Sequence, residues 1–156
     1  MTHDPYKVLE SLGIELPQPA TPKGSYMPMV IQDTIAYLSG ALPTQQNGEL
    51  LAPGIVGTNV SLEEASSAAR LCALNLIARL QADLGSLTRV HRWIKITGFV
   101  ASAPNFTDQP QVINGASNFL VDVFGDLGKH ARSAVGVAAL PLGSSVEIEA
   151  IVEIAP

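Results

Sequence analysis

Two charged residues near the end of the chain, Arg132 and Glu147, have the clearest chemical potential. An arginine's planar fork can hold a carboxylate with two charge-assisted hydrogen bonds, and it stays charged at any working pH. A carboxylate that a cleft partly desolvates can place a water and manage its proton. Taken alone, each has an ordinary reading: arginine at a strand start is usually solvated or salt-bridged, and glutamate in a strand usually faces water. Asn114, Tyr26 and the pair Ser39-Gly40 divide in the same way. Their plain roles would be a polar residue on the outer side of a helix, an amphipathic packing residue and a strand terminator. His3, His91 and His130 have no metal-ligand spacing and are read as structural, and there is neither a Gly-rich loop nor a nucleophile elbow. No metal is expected. The lone Cys72 sits in a helical pattern and reads as a buried, inert thiol. The sequons at Asn59 and Asn105 read as chance matches.

The elements that must position these residues follow from periodicity. Asp4-Pro5 reads as an N-cap with proline at the first helical position, with Val8, Leu9 and Leu12 on one face before Gly13 stops the turn. Prolines at 17, 19, 22 and 28 forbid regular structure, so an extended arm is expected up to residue 28. Met29–Ile31 and Ile35–Leu38 read as a hairpin whose second strand ends at Ser39-Gly40. Pro43 to Thr58 reads as a loop. Ser61-Leu62-Glu63-Glu64 matches a capping box, and Ala65, Ala69, Cys72, Leu76 and Leu80 then recur at helical spacing until Leu84-Gly85. Val90 to Val100 alternates as a strand, with Val90, Arg92, Ile94 and Ile96 opposite His91, Trp93, Lys95, Thr97 and Phe99. Asp108 and Pro110 open a second helix with Val112, Ala116, Phe119 and Val123 as its buried stripe. Asn114 lies about 200° from Val112 and faces away from that stripe. Two strands follow, Arg132 to Leu140 and Ser145 to Ile154. Two helices can cover only one face of a five- or six-stranded sheet, which leaves the other face to solvent or to another subunit.

Composition narrows the partners. The 156 residues suit one domain, 1–156, with residues 1–28 as a leading helix and arm and 29–156 as the core. Nine basic against fourteen acidic side chains give a net charge of −5, the wrong sign for attraction to phosphate backbones, so no nucleic-acid partner is expected. No apolar run reaches the length of a membrane helix, and the N-terminus carries no leader pattern, so a soluble cytoplasmic chain without a membrane partner is expected.

The segment Ala131 to Pro141, followed by Val146-Glu147-Ile148-Glu149-Ala150-Ile151, resembles the C-terminal signature of the Rid family, the YjgF-type reactive-intermediate deaminases. Gly24-Ser25-Tyr26, Leu38 to Pro43 and Val112-Ile113-Asn114-Gly115 extend the resemblance from Gly24 to the end, while the leading helix and arm resemble a longer-chain branch. The resemblance implies an α/β (α+β) chorismate-mutase-like fold, assembled as a homotrimer with inward-facing sheets and ligand clefts between subunits. It implies hydrolysis of small 2-imino acids to 2-keto acids and ammonia, without a cofactor. The positions that match are Tyr26, Ser39, Gly40, Asn114, Arg132 and Glu147, with Arg132 on the substrate carboxylate and Glu147 placing water. Imine-hydrolysing members often have cysteine two residues after the arginine, and this chain has Ala134 in that part of the pocket. The rival expectations are a trimer that binds a small carboxylic acid without transforming it and, less favoured by the acidic balance, an endoribonuclease or translation inhibitor.

Overall fold

The computed structural model describes residues 3–156; Met1 and Thr2, the first residues of the stretch read for a leader, lie outside them. Asp4 caps the first helix, α1 (Pro5–Ser11), by accepting a hydrogen bond from the Tyr6 N–H at 3.0 Å. Leu9 is buried, but Leu12 is exposed, against expectation. The helix stops before Leu12, and Gly13 turns the chain with a φ of 66°. The Pro-rich stretch beyond it has neither helix nor strand. Ile14 and Leu16 pack against the core, and Arg79 holds the arm by donating to the Ala20 carbonyl at 2.6 Å.

Five strands make one mixed sheet: β1 (Met29–Gln32), β2 (Ile35–Ala41), β3 (Val90–Ala101), β4 (Ala131–Val137) and β5 (Val146–Ile154). Their order is β1-β2-β5-β3-β4, and β3 and β4 are the parallel pair. Two helices, α2 (Leu62–Leu84) and α3 (Gln109–Phe124), pack together on one face. The capping box that starts α2 is complete: Ser61 Oγ accepts from the Glu64 N–H and the Glu64 carboxylate accepts from the Ser61 N–H. Gly85 ends α2 in the left-handed conformation.

Two glycines set the depth of α3. A Cβ on Gly115 would collide with the Ser66 carbonyl of α2, and a Cβ on Gly98 of β3 would collide with the Ile113 side chain. Small residues at both contacts let α3 settle against its neighbour helix and onto the sheet. Ile96, Val100, Ile148 and Val152 are fully buried beneath the helices. The opposite face keeps Tyr37, Val135 and Ile151 only partly covered, alongside Thr97, Glu147 and Glu149.

The alternation expected through β3 fails at its start. Register shifts between Val90 and Arg92 and between Trp93 and Lys95 re-phase the strand, so Trp93 is buried while Ile94 is exposed. Ser39-Gly40 does not end β2. One extra residue there opposes β5 between the pairs Leu38–Ala150 and Ala41–Ile148, which makes a bulge. Strand β4 stops at Val137, three residues short of Leu140.

Candidate functional site

Arg132 enters on the second residue of β4, opposite Ile96 of β3, and so points to the helix-covered face. There its Nη1 donates to Asn114 Oδ1 at 2.8 Å and to Ser117 Oγ at 3.2 Å, both on α3. Asn114 and Ser117 are three residues apart and share a helix face. Among the described residues no acceptor meets Nε or Nη2, so the side-on edge of the guanidinium is free while its Nη1 end is held. That edge has the geometry of a bidentate carboxylate site. Ala134, two residues on and paired with Gly98, lies on the same face and packs partly against the core.

Glu147 lies on the other side of the sheet. It pairs with Phe99 across β5 and β3, between the buried Val146 and Ile148. Its carboxylate sits over Gly40, where any Cβ would strike Oε1, so the glycine of the bulge is the residue that admits it. Partial burial first, and then the neighbouring Glu149 charge, raise the Glu147 pKa above the ordinary carboxylate value. Ser39 ties the bulge to the preceding segment: its N–H donates to the Pro28 carbonyl at 2.9 Å and its Oγ to the Met27 carbonyl at 2.7 Å. Tyr26, exposed and with its ring against Gly24, directly precedes that tied segment. Cys72 lies beneath β5, its Sγ 3.9 Å from the Val146 carbonyl. Burial, and next the Glu147 charge, push its thiol well above the ordinary range, so it is a poor nucleophile.

The residues singled out from sequence therefore form two groups. Asn114, Arg132 and Ala134 gather at α3 and the β4 edge, while Ser39, Gly40 and Glu147 gather at the bulge, with Tyr26 just before the segment that Ser39 ties down. Strand β3 lies between β4 and β5, so the groups are about 10 Å apart across the sheet as well as on opposite sides of it. Arg132 and Glu147 do not meet within one chain.

Two further residues belong to the arginine group: Ser117 and His130. His130 Nε2 lies 2.9 Å from Ser117 Oγ, and its Nδ1 lies 2.6 Å from the Gly128 carbonyl. Burial lowers the His130 pKa, the Gly128 hydrogen bond opposes that, and the Arg132 charge adds to the lowering. Their spacing, Ser117 three residues after Asn114 and His130 two before Arg132, fits this grouping but selects neither residue until α3 and β4 are placed side by side. Among the described residues, no group of three or more His, Cys, Asp or Glu side chains could hold a metal ion, and no helix is long and apolar enough to cross a membrane.

This architecture and residue set define a YjgF-type, chorismate-mutase-like protein. The family model described as "YjgF/chorismate mutase-like, putative endoribonuclease" matches residues 7–154, and the chain belongs to that family. It is 44% identical to Protein TCP17 of Trypanosoma cruzi over 147 residues, which covers 94% of this chain and 91% of that protein. The crystal structure of Atu1372 from Agrobacterium tumefaciens superposes with a TM-score of 0.88 at 46% identity, over 96% of this chain and 91% of that one. Escherichia coli TdcF, crystallised with bound serine, superposes with a TM-score of 0.62 at 25% identity, over 90% of this chain and 94% of that one.

Proposed function

We propose that the protein hydrolyses small 2-imino acids to 2-keto acids and ammonia in a cleft shared by two copies within a homotrimer. The observation that carries this reading is the Arg132 guanidinium, held at Nη1 by Asn114 and Ser117 with its other edge free for a carboxylate. A 2-imino acid has its carboxylate next to the reacting carbon, so gripping one end positions the other. The serine bound to TdcF is an acid of the same size class, with nitrogen on the same carbon.

The reaction needs no electron transfer. Water adds to the C=N carbon of the protonated imine, one water proton passes to nitrogen, and as the C–N bond breaks the remaining hydroxyl proton also passes to nitrogen, which leaves ketone and ammonium. Glu147, half-buried with a raised pKa, is suited to take that proton and return it. The protonated imine is itself electrophilic, so the scheme calls on no cofactor. Because Glu147 and Arg132 occupy opposite faces, the Glu147 of one copy is assigned to the Arg132 of the next. The uncovered face, with Tyr37 49% and Val135 42% exposed, is the surface over which copies would meet. Ser39, Gly40, Tyr26 and Ala134 form the remaining wall in this scheme. The setting proposed for it is the cytoplasm, with the leading helix and arm as part of the same domain.

The test generates 2-iminopropanoate or 2-iminobutanoate in situ with an amino-acid oxidase and follows its loss. Wild-type protein should accelerate that loss and Arg132→Ala should not; equal rates would remove the catalytic claim. Thermal stabilisation by keto acids without turnover would instead identify a carboxylate-binding module, with about 2.7 kcal/mol gained at a ligand concentration 100 times its Kd. RNA cleavage, which the family description carries, is disfavoured by the net charge of −5. Cleavage that co-purifies with the protein and disappears in Arg132→Ala would reverse that ranking.

A further inference from the structure

We infer that His130, acting through Ser117, is a positioning residue for Arg132 and fixes which edge of the guanidinium a ligand carboxylate meets. The inference rests on the carboxylate-binding reading given above.

The hydrogen bonds allow one direction only. The Gly128 carbonyl can only accept, so His130 carries its proton on Nδ1, 2.6 Å away. In the neutral ring Nε2 is then bare, and it accepts the Ser117 hydroxyl proton over 2.9 Å. Ser117 has no second proton, so it turns a lone pair to Arg132 Nη1 at 3.2 Å. Asn114 Oδ1 takes the other Nη1 hydrogen at 2.8 Å. Both Nη1 protons are thus committed to the protein, and Nε with Nη2 is the edge left for ligand. Had the hydroxyl pointed at Nη1, the two donors would oppose each other and the guanidinium would lose one of its two anchors.

A protonated His130 would place a proton on Nε2, so that Ser117 Oγ would lose its acceptor and have to accept from two cations, His130 and Arg132, at once, which weakens its hold on Nη1. The charged and titratable groups on the surrounding elements are Arg132 on β4, His91, Arg92 and Lys95 on β3, Asp122 on α3, and Asp126 and Lys129 in the turn before β4. Asp126 and Lys129 pair with each other at 2.6 Å in the open, and Arg132 is the charge that acts on the ring. Burial and Arg132 together outweigh the Gly128 bond and favour the neutral imidazole that the network requires.

The experiment measures binding of 2-oxobutanoate by calorimetry to wild type, His130→Asn, His130→Gln, Ser117→Ala and Arg132→Ala. Gln places its Oε1 near the Nε2 position and can accept from Ser117, so its affinity should stay within about threefold of wild type. Asn can keep the Gly128 bond but offers no acceptor to Ser117, and it should weaken binding roughly tenfold, as should Ser117→Ala. Acidification below the ordinary imidazole range, where His130 takes its proton, should weaken wild type and leave His130→Gln flat.

The inference is overturned by His130→Asn and Ser117→Ala binding as wild type does, or by His130→Gln losing as much as His130→Asn at unchanged Tm. Identical pH profiles for wild type and His130→Gln would also overturn it. If wild type fails to bind the keto acid, or Arg132→Ala binds it equally well, the cleft reading fails as well. The nitrogen chemical shifts of His130 judge the network without any ligand: an Nε2–H tautomer refutes it whatever the binding data say.

Discussion

At the scale of single residues, the guanidinium is set apart by its anchors as much as by its charge. Lysine at position 132 would keep the charge, but its one ammonium nitrogen cannot hold Asn114 and Ser117 while presenting two further donors in a plane. Arg132→Lys should therefore weaken 2-oxobutanoate binding by about 10-fold or more, read by calorimetry. Glu147 gives a pH prediction. Its raised pKa means the carboxylate is protonated at a higher pH than an ordinary glutamate, and the proposed base is lost as pH falls through that raised value. Turnover should accordingly fall on acidification in wild type at a higher pH than an ordinary glutamate would give, and Glu147→Gln should be slow at every pH; a flat wild-type profile would remove Glu147 from the proton path. Asn114 was legible in sequence through the family resemblance, since the helical angle alone gave it only the plain reading of a polar residue facing away from the core. Ser117 and His130 were not, since serine and histidine are ordinary on half-exposed surfaces and become informative only when α3 and β4 are side by side.

Among the elements, α3 decides where the anchors stand, and two glycines decide where α3 stands. Gly115→Ala would drive a methyl into the Ser66 carbonyl, a backbone atom that cannot swing aside, and should cost about 2–3 kcal/mol in urea unfolding. Gly98→Ala meets the more yielding Ile113 side chain and should cost less, about 1–2 kcal/mol by the same measurement. Removing the α2 cap with Ser61→Ala should cost about 1 kcal/mol. Both large helices were readable from capping residues and a 3.6-residue stripe because those signals are local. The bulges were not. Trp93 and Ile94 exchange faces, and Ser39-Gly40 continues a strand rather than ending it, because register is settled by the neighbouring strand and leaves no mark in the strand's own alternation. One of those bulges seats the carboxylate of Glu147, so the least legible detail of the sheet bears directly on the site.

For the whole molecule, the division of the candidate residues between two faces makes the proposed assembly testable by mixing. Arg132→Ala and Glu147→Gln chains are each expected to be inactive alone. If they are unfolded and refolded together, an interface pairing the intact arginine of one with the intact glutamate of the other recovers a complete cleft. Random ring assembly makes about a quarter of the interfaces of that kind, so about a quarter of wild-type activity should return. No recovery in a mixture that has demonstrably exchanged chains would place both residues in one subunit's cleft and break the scheme.

The separation of the two half-pockets also has a consequence in time and abundance. In the proposed assembly, a newly synthesised copy, or one diluted until it parts from its neighbours, would own a grip with no base opposite and a base with no grip opposite. Under the proposed function, turnover per molecule should then climb with total protein until association saturates.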